Sequence, residues 1–170
     1  MSELIEFRAA KDEFFATEQS PLTPEQRGSF KGLSYYDEQP ELALRLMLKP
    51  YEEQAELQMP TSTGEFAQYI RWGGISFTAE GRPAQLTLYR DGEGRFFLPF
   101  QDANAGSETY GAGRYLDVEV DDDGQVLVDF NYAYNPYCAY NYQWSCPIPP
   151  PENRLTVAIR AGEKTFAGAV

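Results

Sequence analysis

The sequence predicts an all-β single domain, an antiparallel barrel or sandwich carrying an N-terminal helix and a short second helix. Three observations lead there. Apolar residues recur at every second position from Glu41 onward, the strand-like runs are short, and Gly, Pro and Asp punctuate them. Helical spacing is confined to residues before 30. At 170 residues the chain fits one unit, residues 1–170, with a helical segment at 1–30 and a β-rich body at 41–170 that includes an aromatic, proline-rich loop at 130–154.

The elements follow in order. Leu4, Phe7, Lys11 and Phe14 fall three and four apart, with Glu3 and Glu6 where the helix dipole favours acids, so Glu3 to about Thr17 reads as an amphipathic helix. In "SPLTPEQRG", Thr23 as N-cap, Pro24 at the first helical position and Gln26 three residues on form a capping box, and Gly28 ends the second helix after about one turn. The period then changes to two: Leu42, Leu44, Leu46 and Leu48 alternate with Ala43, Arg45 and Met47. Further strand-like runs are "EQAELQM", "EFAQYIRW", "ISFTA", "AQLTLYR", "RFFLPF", "RYLDVEV", "QVLVDFN" and "RLTVAIR", with turns at "EGRP" and "RDGEGR". The helices are expected outside the β body or across one end of it.

One hairpin has a readable register. "RYLDVEVDDDGQVLVDFNY" turns at Asp122, Asp123 and Gly124, which pairs Val120 with Val126, Val118 with Val128 and Leu116 with Phe130, leaving one face apolar throughout. The other face then sets Asp117 opposite Asp129 and Tyr115 opposite Asn131. Facing carboxylates need solvent, an arginine, a cation or a raised pKa to compensate, so Asp117 and Asp129 form a candidate acid pair. An oxygen-only site of that kind would suit magnesium or calcium better than zinc.

Composition excludes several classes of function. Fourteen Lys and Arg against 26 Asp and Glu give a formal charge of -12, which repels nucleic-acid backbones, and no basic stripe overrides it. Histidine is absent, which removes Ser-His-Asp and Cys-His catalysis and imidazole metal ligation. The acidic N-terminus has no apolar run like that of a signal peptide, and no segment is long and apolar enough to span a membrane, so the expected location is the cytoplasm, with no membrane partner. In that compartment Cys138 and Cys146 are expected as buried thiols, with a redox pair as the alternative. Their spacing matches no zinc pattern, so no metal ligands are assigned, and any cofactor is left open.

Residues 130–154, "FNYAYNPYCAYNYQWSCPIPPPENR", form the least ordinary segment. Five tyrosines, a tryptophan and five prolines occur with no charge between Asn131 and Pro151. Loops of this length are functional or disordered, and this one is too aromatic for disorder. It is expected to fold over one end of the barrel, either as a plug or as a pocket wall. The upstream "ETYGAGR" reaches the same end through the hairpin, with Arg114 pointing inward toward Glu152, Asp102 or an anionic ligand.

Several segments together, "FLPFQDANAGSETYGAGRYLDVE", "DFNYAYNPYCAY", "CPIPPPENRLTVAIRAGEK", "SPLTPEQRGSFKGLSYY" and "PTSTGE", resemble the bacterial and archaeal proteins grouped as domain of unknown function 1684. The resemblance runs from about Phe14 to Lys164 and departs at Tyr137, where the family form is "NPPC". It implies no activity and no catalytic residues.

The functional expectation is a binding protein for a small polar or anionic molecule beneath the loop. Its candidate contacts are Glu108, Tyr110, Arg114, Tyr115, Asn131, Tyr134, Asn135, Tyr140, Glu152, Asn153 and Arg154. Two alternatives stand beside it: a carboxylate-based hydrolase or lyase using Asp117 and Asp129, with or without a metal, and a structural or protein-contact domain with no small-molecule site.

Overall fold

The computed structural model describes residues 2–168. The Ser2 hydroxyl accepts from the Ile5 amide and starts α1 (Glu3–Phe15), which buries Leu4 and Phe15. At α2 (Pro24–Ser29) the capping box is complete in both directions: Thr23 accepts from the Gln26 amide, and the Gln26 side chain accepts from the Thr23 amide. The same Gln26 side chain donates to the carbonyls of Tyr140 and Gly168, so the cap also ties α2 to the aromatic loop. Among the described residues, no helix is long and apolar enough to cross a membrane.

Eight strands follow: β1 (Ala43–Met47), β2 (Lys49–Pro50), β3 (Glu56–Pro60), β4 (Phe66–Ala79), β5 (Arg82–Arg90), β6 (Phe96–Phe100), β7 (Arg114–Val118) and β8 (Gln125–Asp129). Six make an antiparallel sheet in the order β2-β4-β5-β6-β7, with β3 also on β4, and β1 pairs with β8 in a second sheet. The barrel does not close, and the arrangement is a sandwich. "EFAQYIRW" and "ISFTA", expected as two strands, are the two halves of β4, whose pairing to β5 shifts register between Arg71 and Gly73. That irregularity divides β4 into a half that pairs with β3 and a half that pairs with β2.

Strand alternation sorts the large sheet into two apolar faces. Leu86 and Leu88 of β5, Leu98 and Phe100 of β6, and Leu116 and Val118 of β7 meet Val126 and Val128 of β8, together with Phe130, Val157 and Ile159. On the opposite face Tyr89, Phe97 and Tyr115 lie with Met59 under the loop, which adds Cys138 and Cys146. The loop therefore lies across a sheet face instead of over a barrel end. Three aromatic side chains on that face would otherwise stand in water, and burying one such side chain is worth about 1.5–3 kcal/mol.

The hairpin register holds at its tip, where Val120 bridges Val126, and fails beyond it. Here β7 leaves to pair with β6 while β8 pairs with β1, so Leu116 faces Leu98 and Val128 faces Leu44. Val118 and Val128 still reach one core, but from different sheets. As a result Asp117 stands opposite Phe97 and Asp129 opposite Ala43, and the expected juxtaposition of the two carboxylates does not form. Tyr115 likewise faces Pro99, and Asn131 sits in a helical turn (Phe130–Tyr132).

"RLTVAIR" is not a strand beyond a bridge between Arg154 and Gln101. The reason lies in Arg114, which is 1% exposed and donates to the carbonyls of Ile159 (2.9 Å), Ala161 (2.5 Å) and Glu163 (3.0 Å). Asp102, equally buried and 3.7 Å from the guanidinium, accepts from the Ile159 amide (2.8 Å) and the Thr109 hydroxyl (2.7 Å). Backbone groups that a neighbouring strand would have paired are instead held by this ion pair. Gly162 makes the required bend at φ +81°, where a Cβ would stand 2.7 Å from the carbonyl oxygens of Phe130 and Ala133.

Replacing Arg114 by alanine leaves three carbonyls and a buried carboxylate without their partner. The expected loss is about 3–5 kcal/mol of unfolding free energy, read from urea denaturation. An unchanged or raised midpoint would mean that the arginine is held for a ligand and not for the fold.

Candidate functional site

Most of the polar residues singled out from the sequence have hydrogen-bond partners within the protein. Asn153, fully buried, accepts from the Thr87 amide (2.8 Å) and donates to the carbonyls of Thr87 (2.9 Å) and Pro99 (2.7 Å), clamping the end of the loop to β5 and β6. Asn131 exchanges two hydrogen bonds with the Gln39 backbone and donates to Asp129, which also accepts from the Asn131 amide. The Asn135 amide and the Tyr140 hydroxyl both donate to Glu163, which is paired with Lys11 of α1. Glu108 accepts from Tyr36 and Asn104 at the surface, and the Arg154 side chain is exposed.

Three further candidates, Tyr115, Tyr134 and Asp117, border an open groove of about 1030 Å³. Its floor is aromatic. Tyr69 stacks on Phe97 with ring centroids 5.3 Å apart, Phe97 meets Tyr115 edge-on at 4.7 Å, and Tyr115 meets Tyr134 edge-on at 5.8 Å. The Tyr115 hydroxyl donates to the Pro147 carbonyl, fixing the loop as one wall. Tyr134, bridged through its backbone to Tyr115, donates its hydroxyl to Asp117 at 2.7 Å. Burial pushes both phenols well above their ordinary pKa, so they remain hydrogen-bond donors at neutral pH. Around the rim stand Asp91, Arg90, Arg95 and Glu119; Arg90 lies over Trp72, and Arg95 is held by Asp91.

Sequence reasoning found Asp117 but missed Tyr69, Phe97 and the rim residues Arg90, Asp91, Arg95 and Glu119. A signal was available in "RFFLPF", where Phe96 and Phe97 are adjacent. Neighbours on a strand point to opposite faces, so two consecutive phenylalanines mark a sheet covered on both.

The cysteines form a second constellation behind Pro147. Both are free and buried, the Cys138 amide donates to the Cys146 sulfur at 3.3 Å, and the Tyr110 hydroxyl lies 3.5 Å from the Cys138 sulfur. A hydrogen bond from the Cys146 thiol holds Cys138 down at about 6, while Cys146, as the donor, is pushed up. Among the described residues, no group of three or more His, Cys, Asp or Glu gathers as a metal site would require.

Of the partners offered for Arg114, Asp102 takes the place, and Glu152 instead meets Arg71 through two hydrogen bonds (2.9 and 3.0 Å) and accepts from Thr87 at 2.5 Å. Partial burial opposes its ionisation, but the bonds from Arg71 and Thr87 outweigh it and hold the carboxyl below the usual range.

Residues 28–164 match the family described as Protein of unknown function (DUF1684), and the chain belongs to that family. It is similar to an uncharacterized protein from Haloarcula marismortui, solved in solution by NMR, with 35% identity and a TM-score of 0.73 over 96% of this chain and 92% of that one. No curated protein matches the chain.

The lowered folded pKa of Glu152 gives stability that is present above its unfolded pKa, roughly 4.3, and lost as pH falls through the folded value. Glu152→Gln is therefore expected to be less stable than wild type at about pH 6, with the gap narrowing toward about pH 3. Urea midpoints across that range measure it, and a constant gap would show that the carboxylate charge contributes nothing.

Proposed function

We propose that this DUF1684 protein binds a small polar molecule with a flat or ring-shaped apolar face in the groove beside the aromatic loop. One observation carries the reading. The groove joins an aromatic floor of Tyr69, Phe97, Tyr115 and Tyr134 to a rim of Arg90, Arg95, Asp91 and Asp117, while the Arg114 and Asn153 clusters have their hydrogen bonds met within the protein. Aromatic rings take the apolar face of a sugar-sized or base-sized ring, and charged groups of both signs at the rim take its polar edge. The chain's formal charge of -12 argues against a nucleic-acid backbone as occupant, and two free buried thiols are in keeping with a reducing cytoplasm.

The test is an amide NMR titration of the whole chain with monosaccharides, nucleosides and small aromatic acids. Perturbations are expected to cluster at residues 69, 91, 95, 97, 117 and 134. Tyr69→Ala, at the partly open end of the stack, is expected to weaken binding about tenfold, or about 1.4 kcal/mol, with the fold unchanged. Perturbations centred elsewhere, or none with any probe, would refute the groove.

A further inference from the structure

We propose that Cys138 and Cys146 are a redox-active dithiol, which hydrogen peroxide converts to an intrachain disulfide. The inference is independent of any ligand in the groove. A sulfur buried only for its bulk needs no polar partner. Here the Cys138 amide donates to the Cys146 sulfur at 3.3 Å, and the Tyr110 hydroxyl lies 3.5 Å from the Cys138 sulfur. The two residues lie on one loop held at both flanks, by the bridge of Tyr134 to Tyr115 and the bridge of Pro147 to Thr61. The pair is thus brought together by the fold and not by chance encounter of a mobile loop. Each cysteine is only 8% exposed, which favours a small oxidant over a protein thiol.

The chemistry balances with peroxide as the two-electron oxidant. The Cys138 thiolate attacks one peroxide oxygen; the O–O bond breaks, and hydroxide leaves to become water with a solvent proton. Cys146 then gives up its proton and attacks the sulfenic sulfur of Cys138, forming the S–S bond. The S–O bond breaks, and its hydroxide leaves as a second water. The hydrogen bond from the Cys146 thiol is the main support for the Cys138 thiolate, and Tyr110 acts by positioning, adding a second hydrogen bond to the same sulfur.

The experiment is peptide mapping of the full chain, unreduced, after peroxide treatment. The expected product is a peptide cross-linked through Cys138 and Cys146, with the intact mass lower by two hydrogen atoms and restored by dithiothreitol. In Cys146→Ser the reaction should stop at a sulfenic acid on Cys138, trapped by dimedone. The wild-type rate should level off above about pH 7, with Tyr110→Phe moving that profile to higher pH. The wild-type map decides even where a variant does not fold. Recovery of both thiols reduced, separate oxidation to sulfinic acids without a cross-link, or disulfides only between chains would each overturn the proposal.

Discussion

A guanidinium withdrawn from water needs as many acceptors as water would have given it, and Arg114 finds three of them on the main chain between Ile159 and Glu163. The Phe100 ring lies 5.2 Å away and Asp102 balances the charge. Because the acceptors are carbonyls of a segment that belongs to neither sheet, one side chain does much to set the path of that segment. The path then places Val157, Ile159 and Ala161 in the core and Glu163 between Lys11 and Tyr140. Packing of α1 against the loop thus follows from a hydrogen-bonding requirement at the start of β7.

Both faces of the large sheet are covered by pieces that are not regular sheet partners. One cover is β8 with the segment around Ile159, and the other is the proline-rich loop. A loop can cover a sheet only if its own backbone is satisfied. Here that is done at three anchors: Tyr134 on Tyr115, Cys146 and Ile148 on the strand end near Pro60 and Ser62, and Asn153 on Thr87 and Pro99. Between the first two anchors the cover is incomplete, and the groove occupies what it leaves open. Cys146 lies at the same boundary, immediately before Pro147, and its sulfur accepts from the Cys138 amide.

What could be read from the sequence was what local chemistry fixes. The Thr23 to Gln26 cap, the period of two from Leu42, and the hairpin tip at Val120 and Val126 each depend on residues close in the chain, and each stands as read. The hairpin failed beyond its tip because alternation says which side chains point inward but not which sheet a strand joins; Val118 and Val128 satisfy the pattern equally well from two sheets. "RLTVAIR" has the composition of a strand, and only the distant Arg114 and Asp102 remove it from one. Of the candidate site, Tyr134 was found because aromatic density is visible in a string of letters, and Tyr115 and Asp117 because they lie on the hairpin that leads into it. Tyr69 and Arg95 were missed because they join the groove only through pairings of β4 with β5 and β5 with β6.

The Arg114 arrangement also orders events during synthesis. The acceptors of the guanidinium leave the ribosome some 45 residues after the arginine itself, counted from Arg114 to Ile159, and the carboxylate that anchors α1 is Glu163, 152 positions beyond Lys11. Domains fold as units when their interacting parts are available. In this chain the first helix and the sheet must wait, with an unpaired arginine and an apolar face exposed, until the segment that satisfies them has emerged.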